Sequence, residues 1–585
     1  MYARLTSLIP ILQWGPAYQR RDLKSDLIAG LTHGAMVVPQ GMAYALLAGL
    51  PPVVGLYAAT VPMILYAVLG TSRQLAVGPV AIVSLLVATA LAPIVEQGTA
   101  GYLAAAALLA LMVGVLHLLL ALFRLGFVVN FLSHGVLVGF TAAAALIIGL
   151  SQIKHVLGVS IPRTEQFLDT GIEVAKVLPE THGLTLVLGA GCLATLIAIK
   201  KFIPRLPGPL IVVVASTIVT AVFGLADRGV ATVGSIPGSL PAFAIPGLDV
   251  DLMRSLLSAA LIITIVGFME SVAVAKVYAR RNRYDLVPNQ ELVGLGMANV
   301  AAGVFSAYPV TGGFSRTAVN ASAGARTQFA SLITAAIVIL TLLVLTPLFE
   351  SLPQAALGAI IIMAVVNLID ITEMRHIAQV KRSDLLTLAV AFFGTLLLGI
   401  ELGIAVAVLV SMLVVFARMS KPFTAVLGKV PGTLSYRNIE RFPDAEVTTG
   451  VRVIRMDAAL SFVNAAFTKQ LLLEQAKLIE GTVDDVVDGR RVLVLECSGI
   501  NDLDVTGAGI LDEVLDDLED HGVELYLSDV KGPTRDVLEA AHLWERFAGR
   551  VFATTDAAVR CAVGHDPPPP SLRAAGIHER EDPAP

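Results

Sequence analysis

Charge is scarce in this chain: of 585 residues only 15% are Asp, Glu, Lys or Arg, against 56% that are hydrophobic. With a mean hydropathy of +0.77, that balance excludes an ordinary soluble globular protein and implies many membrane spans. A formal net charge of −5 leaves no basic excess to meet a nucleic acid. Cysteine is nearly absent. Cys192, Cys497 and Cys561 stand far apart without CxxC or His-spaced partners, so neither a zinc site nor a disulfide framework is indicated, and they read as reduced bystanders. The chain also lacks a nucleophile–base constellation, a phosphate-cradling glycine loop and any metal-ligand spacing, so it reads as neither an enzyme nor the holder of a cofactor or metal. Residues 1–24 lack the cleavage signal of a secretory leader; with Pro10, Trp14 and the cluster Arg20, Arg21 and Lys24, they read as a cytoplasmic segment before the first span.

What the chain does have is apolar runs. A window of about 19 residues places spans at 25–47, 51–69, 76–94, 102–122, 127–151, 183–200, 208–226, 254–279, 290–306, 314–326, 328–349, 355–369, 384–399 and 402–418, fourteen in all, within a transmembrane domain of 25–418. Basic residues gather in alternate connections: Arg73, Arg124, Lys200 with Lys201, Arg280 with Arg281, Arg326, Arg375 with Lys381, and Arg418. That alternation puts both termini in the cytoplasm and supports an even count, with the mixed-charge segment 152–182 as the main exception.

Several spans are interrupted, and at matching places in two halves. In the second half, Tyr308-Pro309-Val310-Thr311-Gly312-Gly313-Phe314-Ser315-Arg316 cannot sustain a regular helix, so an extended run should give way to a short helix starting near Phe314 or Ser315, inside the membrane. Its first N–H groups, the Ser315 hydroxyl and the Arg316 guanidinium would make an anion site. A cation at such depth costs roughly 2.5–3.5 kcal/mol and normally marks a pathway; the alternative is a loop with a snorkelling arginine. In the first half Val77-Gly78-Pro79-Val80 opens the third span, with Pro79 suited to a first helical turn. Recurrent breaks of this kind point to inverted repeats, seven spans each, whose half-helices aim their positive ends at one midplane site; a simple loop at Gly78-Pro79 is the competing reading.

The first span carries Pro39, which should kink it, and Gln40 with Tyr44 four residues on, an amide and a phenol on one helix face. Such residues also serve as plain interhelical hydrogen bonds. Glu270 lies within a span and needs either a partner or a proton. It is read either as the structural mate of Arg316 or as a carboxyl whose protonation admits an anion, a route to proton–anion symport.

After residue 418 hydropathy falls. Residues 419–450 read as a linker with Pro422, Pro431 and Pro443, 451–565 as a small α/β domain, and 566–585 as a disordered tail. In the α/β domain, strands are expected at 451–454, 491–495 and 523–527 and helices at 465–478, 506–518 and 534–541. Asp504 or Thr506 would cap the helix at 506.

Val37-Val38-Pro39-Gln40-Gly41-Met42-Ala43-Tyr44-Ala45, Leu50-Pro51-Pro52-Val53-Val54-Gly55-Leu56-Tyr57, Gly70 to Pro79 and Tyr308 to Asn320 resemble the sulfate permease family of anion transporters. The resemblance implies a polytopic α-helical membrane protein of two seven-span inverted repeats, a core domain moving against a gate domain, usually as a homodimer, with the anion held between the third and tenth spans. Carried over residue by residue, the substrate site falls on Gln40, Tyr44, Pro79, Val80, Ser315 and Arg316, with Glu270 at the acidic coupling position. Sodium-coupled bicarbonate members look to have Asp there and Thr four residues on; Glu270 and Val274 depart from that. The C-terminal region resembles the STAS domain, and Thr506 falls where soluble relatives carry a phosphorylatable Ser, a potential contact for a cytoplasmic regulator. The expected activity is uptake of sulfate or a similar divalent oxyanion with protons across the cell (inner) membrane. The alternatives are a bicarbonate or dicarboxylate carrier, an uncoupled channel or exchanger, and a sensor whose STAS domain is the output.

Overall fold

The computed structural model describes residues 9–16, 18–130, 133–161, 167–203, 207–235, 238–366, 368–480 and 490–567. The expected disordered tail lies outside these from residue 568 onward, as does the start of the N-terminal segment. The chain divides into two compact units, Met1–Ser411 and Met412–Pro585.

Each expected span meets a helical segment. In the first half these are α1 (Arg20–Leu47), α2 (Pro52–Ala58) with α3 (Val61–Leu69), α4 (Ala81–Leu91), α5 (Ala100–Leu122), α6 (His134–Leu157), α7 (Gly183–Phe202) and α8 (Gly208–Val222). The second half supplies α9 (Val250–Asn282), α10 (Pro288–Val304), α11 (Phe314–Ser322), α12 (Phe329–Leu340), α13 (Gln354–Val366), α14 (Arg382–Leu398) and α15 (Ile400–Ser420). By length and composition, eight helices among the described residues can cross a membrane. Two of the remaining six are informative: α4 has 11 residues and α11 has 9, so each rises only about half the ~30 Å hydrocarbon core. α1 continues as one helix through Pro39.

Packing repeats between the halves. α1 lies against α11 and α12, and its counterpart α9 lies against α4 and α5. α5 packs on α10 as α12 packs on α3, and α6 packs on α14 as α13 packs on α7. The neighbours thus sort into a core of α1–α5 with α9–α12 and a gate of α6–α8 with α13–α15. Without a hydrophobic drive between helices in lipid, close approach depends on small residues. A Cβ at Gly114 of α5 would stand 2.5 Å from the Val300 nitrogen of α10, and one at Gly139 of α6 would stand 2.3 Å from the Leu388 oxygen of α14.

The C-terminal unit carries a six-stranded sheet, ordered β4-β3-β5-β6-β7-β8. Its strands are β3 (Thr424–Lys429), β4 (Tyr436–Asn438), β5 (Val451–Met456), β6 (Val492–Glu496), β7 (Glu524–Ser528) and β8 (Val551–Phe552). β5 to β8 run parallel, while β3 is antiparallel to both β4 and β5. Period-2 alternation divides the core. Leu493, Leu495, Leu525 and Leu527 pack with Leu472, Leu511 and Leu538 of α16 (Ala465–Glu480), α17 (Val505–Asp520) and α18 (Gly532–Ala540), whereas Val492, Val494 and Tyr526 pack with Val559 of α19 (Thr555–Ala562). The stretch expected as a linker at 419–450 supplies β3 and β4. Its prolines Pro422, Pro431 and Pro443 fall before, between and after those strands, where the absent N–H removes no ladder bond.

Candidate functional site

Two short strands build the broken crossing. β1 (Val77–Gly78) pairs antiparallel with β2 (Thr311–Gly312), Val77 opposite Gly312 and Gly78 opposite Thr311. Backbone that leaves a helix at membrane depth must find partners within the protein. Asn299 of α10 brackets Val310, its amide nitrogen donating to the carbonyl and its oxygen accepting from the N–H, both at 2.9 Å. Ala76 N–H donates to Thr317 Oγ1 at 3.1 Å, and Asn320 Nδ2 donates to the Gln74 carbonyl at 2.9 Å.

A half-helix starts after each strand. Val80 is the N-cap of α4 and Gly313 that of α11, and neither helix has a side-chain cap. Thr99, Ser133 and Asp249 cap the first turns of α5, α6 and α9, while α3, α7, α8, α10 and α12 also lack a side-chain cap; what sets α4 and α11 apart is where their open ends lie. The uncapped ends of α4 and α11 border one cavity of about 20 Å³, through Val80, Ala81 and Ile82 on one side and Gly313, Phe314 and Ser315 on the other. Orphan N–H groups and two positive dipole ends therefore converge on it. Tyr44, Glu270 and Arg316 complete the core wall, and among the described residues the gate contributes Ala364, Val365 and Leu368.

Arg316 is 2% exposed, and its Nε has no partner. Its Nη2 donates to the Thr311 carbonyl at a long 3.5 Å. Gly78 makes room for it, since a Cβ there would lie 2.7 Å from Nη1. Glu270 is equally buried, its Oε2 is unpartnered, and it forms no direct ion pair with Arg316. Among the described residues of the membrane unit, the other two buried carboxylates are satisfied. Glu291 accepts from Tyr66 Oη at 2.7 Å, from the Thr71 N–H and hydroxyl at 2.6 and 2.5 Å, and from Ser72 N–H at 3.1 Å. Asp26 accepts from Arg326 N–H at 2.7 Å and from Thr327 N–H and hydroxyl at 3.2 and 2.6 Å. Glu291 and Asp26 are fasteners; Glu270 is left available.

Of the expected site residues, the structure brings Tyr44, Val80, Ser315, Arg316 and Glu270 to the cavity. Gln40, one turn before Tyr44, is buried with Oε1 unpartnered but does not line the cavity. Pro79 precedes the N-cap, so it lies outside the first helical turn expected for it; the helix begins only where the chain leaves the β1 ladder. Sequence reasoning missed Tyr308, whose hydroxyl is 3.0 Å from Ser84 Oγ, and gave no role to His33, whose Nδ1 is 3.1 Å from Thr334 Oγ1. A lone hydroxyl such as Ser84 in an apolar half-helix was the available signal. In the C-terminal domain Asp504 is the cap of α17, accepting from Gly507 N–H at 2.7 Å and from Phe462 N–H at 2.8 Å. Thr506 is exposed, and its hydroxyl has no partner among the described residues.

Paired broken helices at the meeting of two matching halves, with a α/β domain attached, define a polytopic helical membrane transporter. The model of the sulfate permease family matches residues 23–391 and that of the STAS domain residues 442–558, and the chain belongs to the sulfate permease family. Sulfate transporter 4.1, chloroplastic, of Arabidopsis thaliana is 38% identical over 91% of this chain and 78% of its own length. A probable sulfate transporter of Mycobacterium tuberculosis is 36% identical over 94% of this chain and 98% of its own. Among solved structures, the murine Solute Carrier 26 family member A9 anion transporter, in the inward-facing state, superposes with a TM-score of 0.87 at 28% identity, covering 96% of this chain and 95% of that one. The transmembrane domain of the cyanobacterial bicarbonate transporter BicA matches 67% of this chain and 98% of its own with a TM-score of 0.59 at 23% identity, a likeness of fold alone.

Proposed function

We propose that this protein is a secondary active transporter that takes up sulfate or a similar divalent oxyanion with protons by alternating access. The observation that carries the reading is the single cavity where two uncapped half-helices, Arg316 and an unpartnered Glu270 meet. Fixed positive charge and unused N–H donors suit a multi-oxygen anion. Tyr44 and Ser315 add hydroxyl donors at the cavity wall and Val80 closes its side, with Gln40 one helical turn from Tyr44 and Pro79 next to Val80 in the chain. Glu270 beside an anion repels it when ionised, so its protonation favours binding of a second negative charge. Val274, one turn beyond, carries no side-chain oxygen for a sodium ion, which favours protons as the coupling ion.

A cavity of about 20 Å³ has room for a single water, so an anion enters only when Ala364, Val365 and Leu368 withdraw from the core. Among the described residues the polar lining groups belong to the core, which supports an anion travelling with the core. The same reading places the protein in the cell (inner) membrane as a homodimer, with both termini cytoplasmic and Thr506 open to a regulator. Purified protein in liposomes, given labelled sulfate, a panel of competing anions and imposed proton or sodium gradients, tests it. Sulfate should accumulate against its gradient under inward proton force alone. Preferential competition by bicarbonate or a dicarboxylate would reassign the substrate, and failure to concentrate any anion would make the protein a channel or uncoupled exchanger.

A further inference from the structure

Glu270 and Arg316 do not touch, yet a short chain of hydrogen bonds runs from one to the neighbourhood of the other. Ser271, next to Glu270 on α9, has its hydroxyl 2.7 Å from the Gly267 carbonyl and 2.7 Å from Thr311 Oγ1. Thr311 Oγ1 also donates to the Gly267 carbonyl at 2.6 Å, and Ser271 Oγ accepts from Gly312 N–H at 2.8 Å. The Thr311 carbonyl in turn accepts from Arg316 Nη2. Ser271 and Thr311 are both fully buried. A serine bonding back to the carbonyl four residues earlier is routine in a membrane helix. Here, though, the same oxygen also holds the amide of β2, the strand from which α11 starts. Gly267 permits the contact, because a Cβ there would stand 3.2 Å from Thr311 Oγ1.

We propose that Ser271 and Thr311 are a positioning pair that fixes the Arg316 guanidinium relative to the Glu270 turn of α9, so that a shift of that turn when Glu270 changes protonation is passed to the anion-holding arginine. The inference rests on Arg316 being the anion-holding cation. A merely structural pair would affect stability alone. A positioning pair also sets the half-saturation for the anion and its dependence on pH, while leaving the maximal exchange rate nearly untouched.

The test uses full-length protein in liposomes, with Thr311→Val, Thr311→Ser, Ser271→Ala and Arg316→Ala compared for half-saturation by sulfate between pH 5 and 8, maximal exchange rate and thermal midpoint. Val keeps the shape of Thr without the hydroxyl. Thr311→Val should raise half-saturation about tenfold, of the order expected for one buried hydrogen bond, and flatten its pH dependence. Thr311→Ser, which retains the hydroxyl, should stay within about twofold of the parent. If Thr311→Val does not fold, Ser271→Ala is judged by the same readouts. A folded variant of either kind with unchanged half-saturation and pH dependence overturns the proposal, whatever its thermal midpoint. Arg316→Ala separates the two readings: if it also leaves half-saturation unchanged, the anion site itself is misassigned, whereas a large loss there beside an unaffected Thr311→Val sinks the positioning role alone.

Discussion

Arg316 is a buried cation with one long hydrogen bond and an unused Nε, and it makes no direct ion pair with a carboxylate among the described residues. Arg316→Ala should weaken sulfate binding at least tenfold, since the half-helix dipoles alone are worth only about 0.3–1 kcal/mol each. Arg316→Lys should recover part of that loss, because a point charge does not reproduce the planar donor fork. Calorimetric titration of folded protein checks both, and unchanged affinity in the Ala variant would make the arginine structural. Glu270→Gln keeps size and hydrogen bonding while fixing the side chain neutral. It should preserve anion exchange and thermal stability but abolish accumulation driven by a proton gradient, because no ion pair is broken by the change. A Gln variant that still concentrates sulfate would remove Glu270 as the carrier, and one losing stability on the scale of about 3–5 kcal/mol would point to a buried pair instead. Both residues were legible in the sequence because a charge within an apolar run is expensive and stands out. Ser271 and Asn299 were not, since a single hydroxyl or amide on a membrane helix reads as an ordinary interhelical bond until the strand it holds is seen; Tyr308 stood in the broken stretch, but its partner Ser84 is remote in sequence.

The half-helices were legible as interruptions, from Gly78-Pro79 and from Gly312-Gly313, but the ladder that joins them was not. Two-residue strands leave no period to read, and their pairing partner lies more than two hundred residues away in sequence. That ladder displaced Pro79 from the helical turn expected for it. Gly78→Ala tests the geometry: the added methyl meets Arg316 Nη1, so sulfate affinity should fall severalfold while the protein remains folded and homogeneous by gel filtration. Full affinity in that variant would mean that the guanidinium has room to move aside. In the C-terminal domain, Asp504→Ala removes the cap of α17 and should lower stability by about 1 kcal/mol, read as a shift in the denaturant midpoint of the domain. Expectation there missed β3, β4 and β8 because the first two sit among prolines and the last is two residues long.

For the whole molecule, the alternation of basic connections and the apolar runs gave fourteen segments that recur as helices, and the matching neighbour pairs of the two halves bear out the inverted repeats. Hydropathy resolves such spans well because every backbone group in lipid must be bonded within its own segment. It resolves the boundary after them poorly: residues 424–438 belong to the sheet of the C-terminal domain. A truncation meant to isolate the membrane part should therefore end at Ser420, where α15 ends, rather than near residue 445, which would leave β3 and β4 without the rest of their sheet. The protein ending at Ser420 should fold and bind sulfate with near-parental affinity, even if turnover falls. Loss of binding by a monodisperse truncation would assign the soluble domain a part in forming the site.

The missing caps on α4 and α11 have a spectroscopic corollary. Amides locked in the ladder, such as Gly312 on Ser271 and Gly313 on Ala76, should resist deuterium for as long as the core holds together. The amides of Ala81, Ile82, Phe314 and Ser315 belong to the first turns of uncapped helices at the cavity, so water reaching it should label them readily, and a bound oxyanion should shield them. In mass-spectrometric exchange, the peptide covering 311–322 would then contain a slow clock and a fast one side by side. The fast one, read with and without sulfate, would report occupancy of the carrier at each moment of its cycle.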